Sequence, residues 1–214
     1  MNRRNEAAVE TAEVVDTLLD GRGVARPGGK TVFVRDSLAG ETVTFRRQRR
    51  KRSYDEADLV EVLTASAERV APRCEFFGIC GGCSLQHASA AEQVELKQAS
   101  LLDHLHRIGG VAPAQILEPV TDTAWGYRRK ARLAVKDVRK KGRVLVGFRE
   151  RNKPYVANMT HCETLHPELG QRLEVLSDLI GSLSLAARIP QIEAAVGENG
   201  TAMIFRVLDP PTEA

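Results

Sequence analysis

Residues 72–87 read PRCEFFGICGGCSLQH and place three cysteines, Cys74, Cys80 and Cys83, in the spacing C-x5-C-x2-C. The chain has one more cysteine, Cys162, far downstream and directly after His161. A thiolate cage needs several soft ligands converging on one volume, and glycines let closely spaced cysteines turn inward without side-chain clashes. Gly78, Gly81 and Gly82 supply that freedom, Gly81-Gly82 offers backbone N–H groups to sulfur, and Phe76 and Phe77 are apolar cover. Three readings of the cysteines follow: an iron–sulfur cluster, a structural zinc, or disulfides and plain buried thiols. Zinc sites favour two C-x2-C knuckles, and here only Cys80 and Cys83 have that spacing.

N-terminal to this block, residues 9–66 carry short β-rich runs: AEVVDTLL, TVFVRD, ETVTFRR and DLVEVLTA. Turn signals separate them at Asp20-Gly21, Arg26-Pro27-Gly28-Gly29 and Leu38-Ala39-Gly40. Some five short strands without a helical pattern between them predict a small β-barrel of the oligonucleotide-binding kind, a domain over residues 1–67. C-terminal to the block the period changes. Val94, Leu101, Leu102, Leu105 and Ile108 recur at helical spacing and Gly109-Gly110 ends the run, which predicts a helix over 88–108. LAVKDV and RVLVGFRE then predict a hairpin, residues 167–183 a second helix, and IEAAV with AMIFRVL a last hairpin. Residues 68–214 are thus expected to form an α+β domain.

With 214 residues and 43% hydrophobic content, the chain is long enough to bury a core. No run approaches the ~20 apolar residues of a membrane span, and MNRRNEAAVE lacks the apolar stretch of a signal peptide. A cytoplasmic, monomeric protein with reduced thiols and no membrane partner is expected. The net charge is only +3, but it is unevenly spread. Arg46, Arg47, Arg49, Arg50, Lys51 and Arg52 form one basic knot, Tyr127, Arg128, Arg129, Lys130 and Arg132 a second, and Arg139-Lys140-Lys141-Gly142-Arg143 a third. Phosphates reward local charge density through counterion release, so RNA is the expected partner; the competing reading is a solvated loop or strand edge.

Other motifs carry less. Gly29-Lys30-Thr31 looks like the end of a phosphate-binding loop, but Val24 stands where the first glycine belongs and TVFV reads as strand. His104 and His106, two apart on a helix, face different ways. His161 is read as structural, and Trp125 as a core anchor rather than a base-stacking residue.

The order VDTLLDGRGVARPGGKTVFVRDSLAGE, the arginine run, PRCEFFGICGGCSLQHAS, WGYRRKARLAV, VGFRE and the His161-Cys162 pair resembles the RNA uracil-C5 methyltransferases, most closely those acting on 23S rRNA. The resemblance implies a TRAM domain for the barrel. It implies a central α+β domain in which Cys74, Cys80, Cys83 and Cys162 hold a 4Fe-4S cluster. It also implies S-adenosylmethionine as methyl donor, bound in a Rossmann-like domain. Family chemistry adds a cysteine thiolate to uracil C6 so that C5 takes the methyl group. All four cysteines are already assigned to the cluster, no glycine-rich loop joins a strand to a helix, and the sequence given closes on LDPPTEA. The chain therefore reads as the N-terminal part of such an enzyme, without catalytic residues or methyl-donor site, binding RNA but not methylating it alone. A stand-alone RNA-binding module and a tRNA uracil-C5 methyltransferase are the alternatives.

Overall fold

The computed structural model describes residues 8–210; the first seven residues and the PTEA end lie outside the described part. Contacts divide the chain into two units. One is Met1–Pro72 with Ser84–Val120, the other Arg73–Cys83 with Thr121–Ala214.

The first unit contains a closed five-stranded barrel. Its strands are β1 (Val9–Thr17), β2 (Arg22–Ala25), β3 (Thr31–Arg35), β4 (Thr42–Arg50) and β5 (Tyr54–Thr64), in the order β1-β2-β3-β5-β4. All neighbours are antiparallel except β3 and β5, which run parallel with Thr31 opposite Tyr54. The expected barrel is therefore present, and closure removes the exposed edges that an open sheet would carry. Alternation decides what is inside: Val32 and Val34 of β3 and Val43 and Phe45 of β4 point inward, joined by Val14, Ala25 and Ala57. The four-residue β2 is absent from the runs read in the sequence because RGVA is too short to show a period; Gly21, at φ +81°, makes the tight turn before it.

After the barrel comes α1 (Ala90–Arg107), close to the predicted span. Ser89 caps it, its hydroxyl accepting from the Glu92 amide at 3.1 Å. No residue of α1 is fully buried, and Leu101 and Ile108 of the apolar stripe are exposed.

The second unit is a four-stranded antiparallel sheet, β7-β6-β8-β9, built from two hairpins: β6 (Lys130–Val138) with β7 (Arg143–Gly147), and β8 (Gln191–Val196) with β9 (Thr201–Arg206). Both hairpins were legible in the sequence. The helix expected over 167–183 is instead two pieces, α2 (Pro167–Gly170) and α3 (Leu173–Gly181). The break coincides with a bond to a segment outside the helix. The Gly170 carbonyl leaves the helical ladder to accept from the Cys162 amide at 2.9 Å. Leu169, Leu173, Leu176 and Ile180 pack with Leu133, Val135, Val144 and Ile192 into the core that also contains Cys80 and Cys162. No helix among the described residues is long and apolar enough to cross a membrane.

Candidate functional site

The cysteine loop is a chain of tight turns pinned to the second unit. The amides of Ile79 and Cys80 donate to the Phe76 carbonyl at 3.1 and 2.8 Å, and Gly78 takes a φ of +85°. The Gly81 amide donates to Arg149 O, and the Arg151 amide to Ile79 O, which laces the loop to the segment after β7. Gly82 lies where a Cβ would be in ordinary van der Waals contact with both the Cys80 sulfur and the Phe148 ring, 3.4 Å from each. From the far segment, Cys162 is held by its bond to Gly170. A Cβ on Gly170 would collide with the carbonyls of Cys162 and Leu165. Gly170→Ala is thus expected to cost about 1–3 kcal/mol by overpacking, read as a lower midpoint in urea unfolding.

None of the four cysteines is in a disulfide; Cys74, Cys80 and Cys162 are buried, and Cys83 is half-buried with its sulfur 3.3 Å from Thr164 Oγ1. They act on one another electrostatically: the Cys80 thiol is influenced by Cys162, Cys83 and Cys74. Burial pushes the Cys80 thiol up to about 11 and raises those of Cys74 and Cys162 as well. Backbone amides oppose burial at each: Gly82 at Cys80, Phe76 and Phe77 at Cys74, Leu165 and Thr164 at Cys162. Amide donors aimed at sulfur favour the thiolate, the form that binds metal. Phe76 and Phe148 pack against this core. Among the described residues, no group of three or more His, Cys, Asp or Glu side chains stands ready to hold a metal ion. What could hold a cluster is the donor set: four soft sulfurs from two segments, three of them buried and supplied with backbone amides and the fourth, Cys83, half-buried.

Several neighbours were not singled out in the sequence. Thr164 faces Cys83, and Arg151 donates from Nη2 to the Cys83 carbonyl at 3.2 Å with its guanidinium 5.2 Å from the Phe77 ring centroid. Their roles arise from long-range pairing that no local spacing encodes. His161 meets Thr160 at 3.1 Å, Glu163 at 3.4 Å and the edge of Phe76, consistent with a structural part. Trp125 is half-buried under the Arg73 guanidinium, 5.3 Å from its centroid.

The basic residues sort by local compensation. Arg46, Arg49, Arg50, Lys51 and Arg52 are exposed at the β4–β5 end of the barrel. Arg47 differs: its guanidinium is held by Glu10 at 2.7 Å and by Asp55, so its charge is spent inside the barrel wall. In the second unit, Tyr127, Arg128, Arg129, Lys130 and Arg132 are exposed. Lys130 and Arg132 alternate on β6 with inward Ala131 and Leu133, while Arg128 stacks 5.1 Å from the Phe148 centroid. The two groups of basic residues thus belong to different units.

No protein-family model matches the chain. A 23S rRNA (uracil(1939)-C(5))-methyltransferase RlmD of Alkalilimnicola ehrlichii is 50% identical over 99% of this chain and 48% of the relative. The RlmD of Alcanivorax borkumensis is 46% identical over 100% of this chain and 49% of its own length. The resemblance to RNA uracil-C5 methyltransferases holds. The chain spans about half the length of the curated RlmD relatives it matches. The fold is also that of the Pyrococcus abyssi tRNA (uracil-54, C5)-methyltransferase solved with S-adenosyl-L-homocysteine, with a TM-score of 0.61 at 21% identity, covering 91% of this chain and 44% of that one.

Proposed function

We propose that this chain is the RNA-binding and iron–sulfur part of an S-adenosylmethionine-dependent 23S rRNA uracil-C5 methyltransferase. The similarity to RlmD enzymes along essentially the whole chain carries this reading. The barrel, residues 1–67, serves as a TRAM-like RNA-binding domain, and the exposed cations Arg46, Arg49, Arg50, Lys51 and Arg52 meet phosphates. Lys130 and Arg132, on the solvent face of β6, give the 68–214 domain a second basic surface. Cys74, Cys80, Cys83 and Cys162 hold a 4Fe-4S cluster. When bound, the cluster supplies a cross-link: methyl transfer by thiolate addition requires no electron from it. The chain's own residues then hold the 74–83 loop against the Cys162 segment, exclude water with Phe76 and Phe148, and direct amides at sulfur. With all four thiols so used, no cysteine of this chain is left to attack uracil C6, and residues 1–214 alone bind RNA without methylating it.

The test pairs two readouts on anaerobically purified chain. Iron and sulfide assays with an ultraviolet–visible spectrum are expected to give about four irons and a broad brown absorption. One zinc per chain would reject the cluster. Transfer of labelled methyl from S-adenosylmethionine to an RNA covering the 23S target region is expected to be at background for residues 1–214, whereas turnover by this chain alone would reject the division of labour.

A further inference from the structure

Several cations of the barrel unit are paired with carboxylates. Arg22 meets Asp20 at 2.7 Å, Arg35 meets Asp58 at 2.7 Å, Arg47 meets Glu10 and Asp55, and Arg69 meets Glu41. Arg26, Arg49, Lys51 and Arg52 form no salt bridge among the described residues, and all four are exposed. Topology brings them together. Because β3 and β5 run parallel with Thr31 beside Tyr54, the loops that precede them, 26–30 and 51–53, emerge at the same end of the barrel. Lys30 then bolts one loop to the other: its Nζ donates to the Lys51 carbonyl at 2.7 Å and to Asp55 Oδ1 at 2.6 Å, while Asp55 also accepts from the Lys51 amide at 3.2 Å.

The 26–30 loop is open on one side. Gly28 and Gly29 take φ of +63° and +81°, nothing lies within 4 Å of a Cβ built on either, and both are exposed beside Arg26; the Gly29 amide donates to the Arg26 carbonyl at 3.1 Å, which leaves the Gly28 amide to face outward. A basic run in one hairpin tip is common; here an unpaired arginine and an exposed diglycine on a second loop are fastened beside it by an internal lysine, so cations from two loops share one end of the barrel.

We propose that the barrel grips RNA with a two-loop phosphate clamp, in which Arg26 and the Gly28-Gly29 backbone form one wall and Lys51 with Arg52 the other. Lys30 is a positioning residue: its charge is spent on Asp55, and it sets the separation of the walls. The ligand is the phosphodiester backbone of unpaired RNA, which cations on two adjacent loops accept without reading bases. This rests on the RNA-binding reading above and adds to it a wall that the arginine run does not contain.

The experiment is a fluorescence-anisotropy titration of a labelled RNA spanning the uracil-1939 region, repeated across salt concentrations with the 214-residue chain. A cation that touches phosphate contributes about 0.7 to the slope of log affinity against log salt on single strands. Arg26→Gln is expected to weaken binding about three- to tenfold, to lower that slope by about 0.7, and to leave the melting temperature unchanged. Arg52→Gln should do the same. Lys30→Met is expected to weaken binding with the slope unchanged, the signature of a residue that positions rather than touches. An Arg26→Gln variant with wild-type affinity and slope, beside an Arg52→Gln variant that loses both, overturns the clamp and leaves the RNA reading intact. Wild-type chain with no salt-dependent affinity for the RNA overturns the RNA reading itself.

Discussion

With the proposed cluster bound, replacing Cys80 by serine is expected to strip its iron and to lower the melting temperature of the second unit by roughly 10 °C. Cys80 is one of the three buried cysteines. Its sulfur lies in the same core as Leu133, Leu165 and Ile192, its amide is bonded to Phe76 O, and it is coupled to the other three thiols. Burial pushes its thiol up to about 11, so without metal it is neutral at pH 7. A bound iron removes the proton and offsets the charge, and the free energy of binding becomes free energy of folding. Serine is a harder, weaker donor, and its hydroxyl is left in an apolar wall with one amide for company. The loss is at least about 3 kcal/mol, and for a chain of this size each kcal/mol moves the midpoint about 2–4 °C. Differential scanning calorimetry with an iron assay on the same sample decides it. Full iron content with an unchanged midpoint would remove Cys80 from the ligand set.

How much of this was readable beforehand differs between the two units. The barrel was legible because its strands alternate cleanly. TVFVR and TVTFRR put Val32, Val34, Val43 and Phe45 on one face, and three of the four turns carry glycine at positive φ, at Gly21, Gly28-Gly29 and Gly40. The cysteines stand out in the sequence as a candidate ligand set because soft donors in a glycine-rich loop have few other uses. What surrounds them was hidden. Helix period alone runs on through 167–183, and nothing local announces that Gly170 will give its carbonyl to Cys162 and split the helix. Thr164 and Arg151 become neighbours of Cys83 only through pairing across 81 and 68 positions. Among the arginines, sequence treats Arg47 and Arg49 alike. Structure separates them, because Arg47 reaches Glu10 and Asp55 whereas Arg49 meets no carboxylate among the described residues.

Charge also holds the barrel together, at a place that no motif marks. Glu41 is fully buried between β3 and β4. Its carboxylate accepts from the Arg69 guanidinium, from the Leu38 amide at 2.8 Å and from the Ser66 amide at 3.3 Å, and Arg69 Nη2 also donates to Asp36 O at 2.8 Å. One side chain thereby closes the turn before β4 and ties down the chain leaving β5. Burial alone would raise its pKa; the hydrogen bonds from Arg69 and Leu38 outweigh that and hold it below the ordinary 4.5. Asp55, buried in the wall, is likewise held below 3.8, by Lys30 against the pull of burial and with the help of Arg47. The sign follows from linkage: a carboxylate whose pKa falls on folding adds stability that is complete above its unfolded pKa and is lost as pH falls through the folded one. The barrel should therefore hold a plateau above about pH 4.5 and weaken progressively below it. Glu41→Ala goes further at every pH, leaving Arg69 and two amides without their acceptor at a cost of about 3–5 kcal/mol. Glu41→Gln keeps the shape and part of the bonding but has no proton to take up, so it is expected to start less stable and to lose less between pH 5 and 3. Urea unfolding of the three proteins across that interval, followed by circular dichroism, is the measurement. A wild-type curve no steeper than that of Glu41→Gln would mean that this carboxylate is not what acid attacks.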